Sequence, residues 1–519
     1  MSKYLSLPKG VTEETFTKAI EAFKKILGDE NVFISSEELT PYTKVLVPIK
    51  KKNHMPSAVL VPHSVEEIQA ILKVCNQYLI PIWTFSTGKN FGYGSAMPAK
   101  AGTALMDLRR MNKIIEVNKE LGYALVEPGV TYQMLHDYIK EHKLGLWLSC
   151  PAPSAIVGPV GNTMDRGVGY TPYGEHFMFQ CGMEIVLADG QVLRTGMGGI
   201  ENSNSWQVFK WGFGPTLDGI FTQSNYGICT KMGFWLMPEP PAFKPFCISF
   251  PNDSDIVEIV DTLRPLRIAN IIPNAFTIAN TSYEAASVAN RSDYHQGPGY
   301  ITAKELKKLQ KDKNMGAWNV YAALYGDPAS IEHNWKIVQS VFANNKKAKF
   351  YTEEELGEDP IFKYRAKLMR GDPTLQEFSL YNWKGGGGSM WFAPVAPAEG
   401  KHTLIQQELA TKIMHKYGFD YVGEFIVGWR DMHHIVDLLY NRNDPEEMQR
   451  AKECYIELVQ EFAKLGYGVY RTHSGAMTEV GNTYGPVIKD VFHKLKKALD
   501  PNNILAPGKS GIDLSEYEG

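Results

Sequence analysis

The sequence predicts an α+β fold in two domains, and three observations carry that prediction. At 519 residues the chain exceeds the size at which one hydrophobic core stops growing. Helix-period and strand-period segments are interspersed without the strict βαβ alternation of a doubly wound sheet. A proline-rich stretch, LMPEPPAFKP at 236–245, lacks the donors of a central strand and reads as a boundary between residues 1–236 and 237–472.

The chain opens on an amphipathic helix over 12–28, where Phe16, Ile20, Phe23 and Leu27 recur at three- and four-residue steps and Gly28 stands as a stop. SVEEIQAILKVCNQY gives a second helix, with Ser64 and Glu67 as a capping box and Ile68, Ile71, Leu72 and Cys75 as its buried stripe. A strand over 82–85 follows directly. From 101 to 195 short β-type runs dominate, one helix over about 131–142 interrupts them, and Asp189-Gly190 signals a two-residue hairpin turn. Past the boundary the pattern restarts, with helices near 254–264, 328–343 and 445–465 and strands in WNVYAALYG, YVGEFIVGW and HHIVDLLY. An antiparallel sheet flanked by helices is the expected second domain.

With 54 Lys+Arg against 57 Asp+Glu, the formal charge of -3 gives no electrostatic case for nucleic acid or an anionic membrane. A small ligand is expected instead. Neither an export signal nor an apolar run long enough to span a bilayer is visible, so a soluble protein is expected. The six cysteines form no Cys-x-x-Cys pair, which argues against a zinc site or a disulfide framework and for core thiols.

Three glycine-rich segments carry the functional signal. STGKNFGYG at 86–94 follows the strand over 82–85 and offers backbone N–H groups able to converge on anionic oxygens. It is not a Walker loop, because Trp83 stands where that motif needs its first glycine. No Gly-x-Gly-x-x-Gly opens a helix in a βαβ unit either, which disfavours a Rossmann site. VGPVGNTMDRGVGYTPYGEH at 157–176 is the second segment, and two such loops in one domain suggest a long, bent ligand touching backbone twice. In the third, EFSLYNWKGGGGSMWF at 377–392, four glycines separate two aromatic-rich runs that read as strands, so something must approach the backbone closely there.

Period-2 geometry in EFSLYNW places Glu377, Ser379 and Tyr381 on one face. In DMHHIVDLL it places His433, Ile435 and Asp437 together, so His433 and Asp437 are expected to act as a pair. Adjacent His433 and His434 then face opposite ways, and no metal site is expected.

The run of TFSTGKNFGYG, GPVGNTMDRGVGYTPYGEH, CGMEIVLADG, DMHHIVDLLYNR, GYGVYRTH and DPNNILAPGKSGI resembles the vanillyl-alcohol oxidase family, and within it the p-cresol methylhydroxylase branch, over nearly the whole chain. The resemblance implies an FAD-binding domain over 1–236 completed by 473–519, embracing a substrate (cap) domain over 237–472. It implies that Ser86, Thr87, Gly88, Lys89, Asn90, Phe91 and Gly92 cradle the pyrophosphate, and that Gly158, Gly161, Asn162, Arg166 and Gly167 line the rest of the cofactor. Covalent FAD is implied, through Tyr381 as an 8α-O-tyrosyl ether, since Ser389 stands where other members carry histidine. Lys509 stands where arginine is expected near the flavin, which keeps the charge but not the bidentate fork.

For the substrate the resemblance implies that Tyr93, Tyr470 and Arg471 hold a phenolate, with Tyr170 and Trp391 as pocket walls. Glu377, Glu424, His433 and Asp437 are the candidates for activating water. The implied reaction is oxidation of 4-alkylphenols by hydride transfer to flavin N5, with a p-quinone methide that water converts to the 4-hydroxybenzyl alcohol and onward to aldehyde. Electrons would pass to a small c-type cytochrome subunit, a separate chain because no Cys-x-x-Cys-His occurs here. A flavoprotein homodimer, periplasmic with its cytochrome or cytoplasmic, completes that picture. The alternatives are an oxidase of the same fold that uses dioxygen and a non-catalytic flavin-binding subunit. CPAPSAIVG, without the aspartate of the oxidase branch, points to the dehydrogenase.

Overall fold

A computed structural model describes residues 3–517. The first helix, Glu13–Leu27, buries Phe16, Ile20, Phe23 and Leu27; the Thr12 hydroxyl accepts from the Thr15 N–H, and Gly28 ends it at φ +82°. The helix Val65–Tyr78 is capped by Ser64, which accepts from the Glu67 N–H. The expected capping box is not closed, because the Glu67 carboxylate accepts instead from the His63 N–H at 2.8 Å. Both helices cover a small sheet ordered Val32–Phe33, Val59–Leu60, Ala104–Asp107, Ile82–Phe85, whose last three strands run parallel.

A second, antiparallel sheet is ordered Ile114–Asn118, Tyr123–Val126, Ile228–Trp235, Gln180–Val186, Val192–Arg194. The hairpin at Asp189-Gly190 forms, with a longer turn than expected. Leu187 and Gln191 are joined by a 2.9 Å hydrogen bond, and Gly190, at φ +89°, donates to the Leu187 carbonyl. The loop therefore holds a residue in the left-handed region after the turn, as three-residue hairpins do.

The third sheet has eight strands, all antiparallel, along Lys349–Thr352, Ala242–Phe250, Trp318–Gly326, Phe276–Asn280, Gly423–Val427, Asp431–Tyr440 and Gly388–Phe392, with Val395–Pro397 also paired to Asp431–Tyr440. Helices Ile256–Ile268, Gly400–Lys416 and Pro445–Lys464 bury their apolar faces against it. The proline-rich stretch enters this sheet, contrary to expectation. Pro245 lies inside the strand Ala242–Phe250, opposite Ala323 and just outside the residues 246–249 that the edge strand Lys349–Thr352 covers, where no ladder donor is missed. All six cysteines are free and buried.

The tail returns to the first sheet. Ile82 donates to the Ile504 carbonyl and accepts from the Ala506 N–H, both at 2.7 Å, extending the parallel sheet by a bridge. A fully buried ammonium secures it: Lys496 Nζ donates to Asp500 Oδ2 and the Leu505 carbonyl at 2.6 Å and to the Asn225 carbonyl at 2.9 Å. All three ammonium protons are thereby used. Lys496→Ala strips Asp500 of its counter-charge and should lower the unfolding free energy by roughly 3–5 kcal/mol in urea titrations.

Candidate functional site

An elongated cavity of about 690 Å³ opens where the tail, the two smaller sheets and the large sheet meet. The loop that follows the strand Ile82–Phe85 forms one wall, and every residue from Ser86 to Tyr93 reaches the cavity. Gly158, Gly161, Asn162 and Arg166 form the facing wall, around the short helix Pro159–Met164. Two glycines are dictated by closeness. A Cβ on Gly161 would stand 2.1 Å from Ser86 Oγ, and one on Gly92 would stand 2.1 Å from Trp391 Cδ1. Gly167 does not reach the cavity; it packs on the Asn162 side chain, where a Cβ would stand 2.3 Å from Nδ2.

Lys509 pairs with Asp165 at 2.8 Å, and Asn90 donates to the other Asp165 oxygen at 3.1 Å, so this carboxylate ties both loops to the tail. Gln223 adds a second tie by donating to the carbonyls of Tyr470 and Asp165 at 2.6 and 3.2 Å. Neither Asp165 nor Gln223 was singled out by sequence, because each acts on partners remote in the chain. Several buried polar atoms that line the cavity have no protein partner: Tyr93 OH, Ser224 Oγ, Asn225 Oδ1, Ser474 Oγ and Arg471 Nε. Such groups call for a polar ligand.

One end of the cavity is aromatic, built by Tyr93, Tyr170, Tyr381, Trp391 and Tyr470, with Ile426 and Ile435 between them. Arg471 lies there, 4.2 Å from the ring centre of Tyr93 and 5.3 Å from that of Tyr470, and forms no ion pair among the described residues. Burial works against its charge, yet the Tyr470 and Tyr93 oxygens outweigh burial and hold the guanidinium above its ordinary value. Burial likewise keeps the Tyr93 and Tyr381 hydroxyls protonated, pushing both well above the usual phenol range.

Tyr381 reaches this end by a route the sequence did not give. Residues Gln376–Asn382 form a 3-10 helix, not a strand, so burial follows a period near three: Glu377, Leu380 and Tyr381 are buried and Ser379 is exposed. The expected shared face of Glu377, Ser379 and Tyr381 is therefore lost. The glycine run has its own explanation. Gly385, Gly386 and Gly387 lie at φ +77°, +71° and +67°, a left-handed crank that non-glycine residues resist. What comes close is the end of the neighbouring strand, since a Cβ on Gly386 would stand 2.0 Å from Asn441 Oδ1, and Arg442 Nε donates to the Gly386 carbonyl at 2.8 Å. None of the four glycines lines the cavity.

The candidate acids and His433 also stand behind the lining, not in it. Glu377 is buried with neither carboxylate oxygen hydrogen-bonded, and burial, Glu424 and Asp437 drive it well above the carboxylate range. Glu424 contacts Arg365 at 2.6 Å; burial raises its pKa while Arg365 opposes the rise. Asp437 accepts from Ser389 Oγ at 2.8 Å, and Trp391 Nε1 donates to that same hydroxyl at 3.0 Å. His433 instead pairs with Asp431 at 3.3 Å and stacks on Tyr470 at 4.5 Å between ring centres. The expected His433 and Asp437 pair is not formed: four strand residues span about 13 Å, so a shared face does not mean contact.

Residues 56–196 match a family described as FAD binding domain, and residues 253–510 one described as FAD linked oxidases, C-terminal domain. The chain is 58% identical to the 4-cresol dehydrogenase (hydroxylating) flavoprotein subunit of Pseudomonas putida, over 98% of each protein. A crystal structure of p-cresol methylhydroxylase with substrate bound superposes with a TM-score of 0.98 at 57% identity, covering 99% of this chain and 100% of that one. The 4-ethylphenol oxidase of Gulosibacter chungangensis, in its isoeugenol complex, gives a TM-score of 0.96 at 37% identity, covering 98% and 99%. The glycine cradles at 92 and 161 and the unpartnered polar atoms along the cavity fit FAD as the group this domain binds.

Asp437 sets a pH dependence of stability. Burial pushes its carboxyl from 3.8 up to about 8, so the folded protein keeps a proton that the unfolded chain releases near pH 4. The stability it contributes is complete below pH 4 and declines as pH rises towards about 8. Asp437→Asn should flatten that decline in denaturation midpoints measured from pH 5 to 8.

Proposed function

The chain belongs to the p-cresol methylhydroxylase branch of the vanillyl-alcohol oxidase family, and from that premise we propose that it oxidises 4-alkylphenols of the p-cresol type and hydroxylates them with water. The observation that carries this reading is Arg471, a guanidinium with no carboxylate partner among the described residues, set between two tyrosines at the aromatic end of a cofactor-sized cavity. A phenol titrates near 10 in water, so binding it ionised at neutral pH requires fixed positive charge. Arg471 supplies that charge and cannot lose it. Tyr93, kept protonated by burial, donates to the phenolate oxygen together with Tyr470.

When bound, FAD would supply the hydride acceptor for the benzylic position. Tyr381 is proposed to hold the flavin covalently through its hydroxyl oxygen, since this residue lines the cavity from a buried 3-10 turn. Tyr170 and Trp391 wall the alkyl end. Loss of hydride from an ionised 4-alkylphenol leaves a p-quinone methide, and water adds at its benzylic carbon while a carboxylate takes the proton. Glu424, Glu377, Asp437 and His433 stand within the shell around that end, and Glu424 is the one of them in contact with a guanidinium, that of Arg365. The product is the 4-hydroxybenzyl alcohol, which the same chemistry carries to the aldehyde.

The relative from Pseudomonas putida is a flavoprotein subunit, so this chain too is assigned a partner subunit. On the proposed reading that partner is a small c-type cytochrome that receives electrons singly, the flavoprotein is a homodimer, and the complex is periplasmic. The division into an FAD-binding part, 1–236 with 473–519, and a substrate part, 237–472, belongs to the same reading. It is supported by the return of Leu505 to Ile82 and by an eight-stranded sheet drawn from 242–440. Likeness to an oxidase motivates one rival, return of electrons to dioxygen.

Anaerobic 4-cresol should bleach the flavin, and turnover should need an added cytochrome or dye and release no peroxide in air. Peroxide release without acceptor would select the oxidase, and an unbleached flavin would discard catalysis altogether. Tyr381→Phe should release FAD into the supernatant on acid precipitation, where the wild type keeps it on the peptide containing residue 381.

A further inference from the structure

Behind the aromatic end lies an ionic cluster of which the proposed function uses only Glu424 and its contact with Arg365. Arg365, on the helix Pro360–Arg370, is buried between two acids, 2.6 Å from Glu424 Oε1 and 3.4 Å from Glu284 Oε1. Glu284, on the short helix Thr281–Ala286, also accepts from the Tyr321 hydroxyl at 2.6 Å. The guanidinium is boxed by aromatic rings, with centres at 5.5 Å for Tyr283, 5.4 Å for Tyr321 and 5.6 Å for Tyr364. Arginine on such ring faces gains cation–π attraction where water is excluded. Its position is overdetermined, and its charge is permanent.

Two carboxylates thus share one cation, while a third, Glu377, is buried nearby with no hydrogen-bond partner at either oxygen. Like charges crowded in a low-dielectric site cannot all ionise. The groups that bear on Glu424 and Glu377 are Arg365, Glu284 and Tyr364 behind them, Tyr170 and Tyr283 beside them, and Asp437 and Arg471 towards the cavity. Of these two acids, Glu424 is the one in direct contact with Arg365.

We propose that Arg365, held between Glu284 and Glu424, is a positioning residue that divides the acids into one base and one acid: it keeps Glu424 as a carboxylate and leaves Glu377 protonated. This rests on the 4-alkylphenol reading above. In the water step, the water oxygen bonds to the benzylic carbon, the exocyclic π pair moves through the ring to the phenolate oxygen, and the water proton goes to Glu424. Protonated Glu377 keeps a second negative charge away from the electrophile's surroundings and can donate to the new hydroxyl oxygen. Glu284 tunes the device. Its carboxyl is pushed up to about 7 by burial, so near neutral pH it alternates between competing for Arg365 and releasing it to Glu424.

The test is the pH profile of kcat/KM for 4-cresol with a dye acceptor, in Arg365→Lys and Glu284→Gln. A wild type that neither bleaches nor turns over with 4-cresol refutes the substrate reading itself, before either variant is compared. Given an active wild type, Arg365→Lys weakens the grip on Glu424 and should move the acid limb up by about one pH unit. Glu284→Gln removes the competitor and should move the limb down. Opposite shifts are not produced by loosened packing. An unmoved limb in both variants, or shifts of the same sign, overturns the proposal. If Arg365→Lys does not fold, Glu284→Gln decides alone: a downward shift supports the device, and an unmoved or raised limb overturns it. Infrared difference spectra of the resting protein, wild type minus Glu377→Gln at pH 7, give a readout free of turnover: the bands of protonated Asp437 and Glu284 cancel, and one carbonyl band of a protonated carboxylic acid should remain. Its absence from the difference spectrum would also overturn the proposal.

Discussion

A guanidinium that cannot be neutralised, placed at the inner end of a cavity without a carboxylate partner, is the constraint on which the rest of the molecule depends. Burying an unpaired charge is costly enough that it must be answered by an anion or by oriented dipoles. Around Arg471 the answer is incomplete within the described residues: two tyrosine rings and their hydroxyl oxygens outweigh burial, yet no carboxylate pairs with the guanidinium and Nε is left without a partner. The acids nearest this end do not fill the gap, because Glu424 is taken by Arg365, Asp437 by Ser389, and burial, Glu424 and Asp437 push the Glu377 carboxyl well above the carboxylate range. A phenolate oxygen is the anion that such a site suits.

The scaffold keeps that charge in place from remote parts of the chain. Gln223 fixes the backbone at Tyr470, Asp165 couples both glycine loops to Lys509, and Lys496 locks the tail that carries Lys509. The glycine crank at 385–387 turns the chain against Asn441 and Arg442, so that the turn bearing Tyr381 and the strand bearing Trp391 both face the cavity. Rigidity at one end and backbone closeness at the other are supplied by different residues, which is why the glycines and Tyr381 belong to one segment yet do different work.

Much of this was legible in the sequence where the signal was local. The helices over 12–28 and about 131–142, the apolar stripes of 12–28 and 64–78, and the long strands that become Trp318–Gly326 and Asp431–Tyr440 follow from local pattern. The two glycine loops announced an extended ligand, and both line the cavity. Legibility failed where a partner far along the chain decided the outcome. EFSLYNW has the composition of a strand, but nothing pairs with it, and it closes into a 3-10 turn with Leu380 and Tyr381 in the core. Pro245 was read as a break because its place outside the reach of the edge strand is a matter of sheet register. Arg365 and Glu284 carry no motif at all. They are 81 residues apart in the chain, and only the packing of two helices against the large sheet brings them together.

The central claim is most directly tested by the ionisation state of a bound phenol. Ultraviolet difference spectra of an unreactive para-substituted phenol, recorded on binding at pH 7 to the wild type and to Arg471→Met, separate phenolate from phenol by their absorption. The account predicts a phenolate spectrum in the wild type and a neutral-phenol spectrum in the variant. A neutral phenol bound by the wild type, or a phenolate that persists without Arg471, would contradict it.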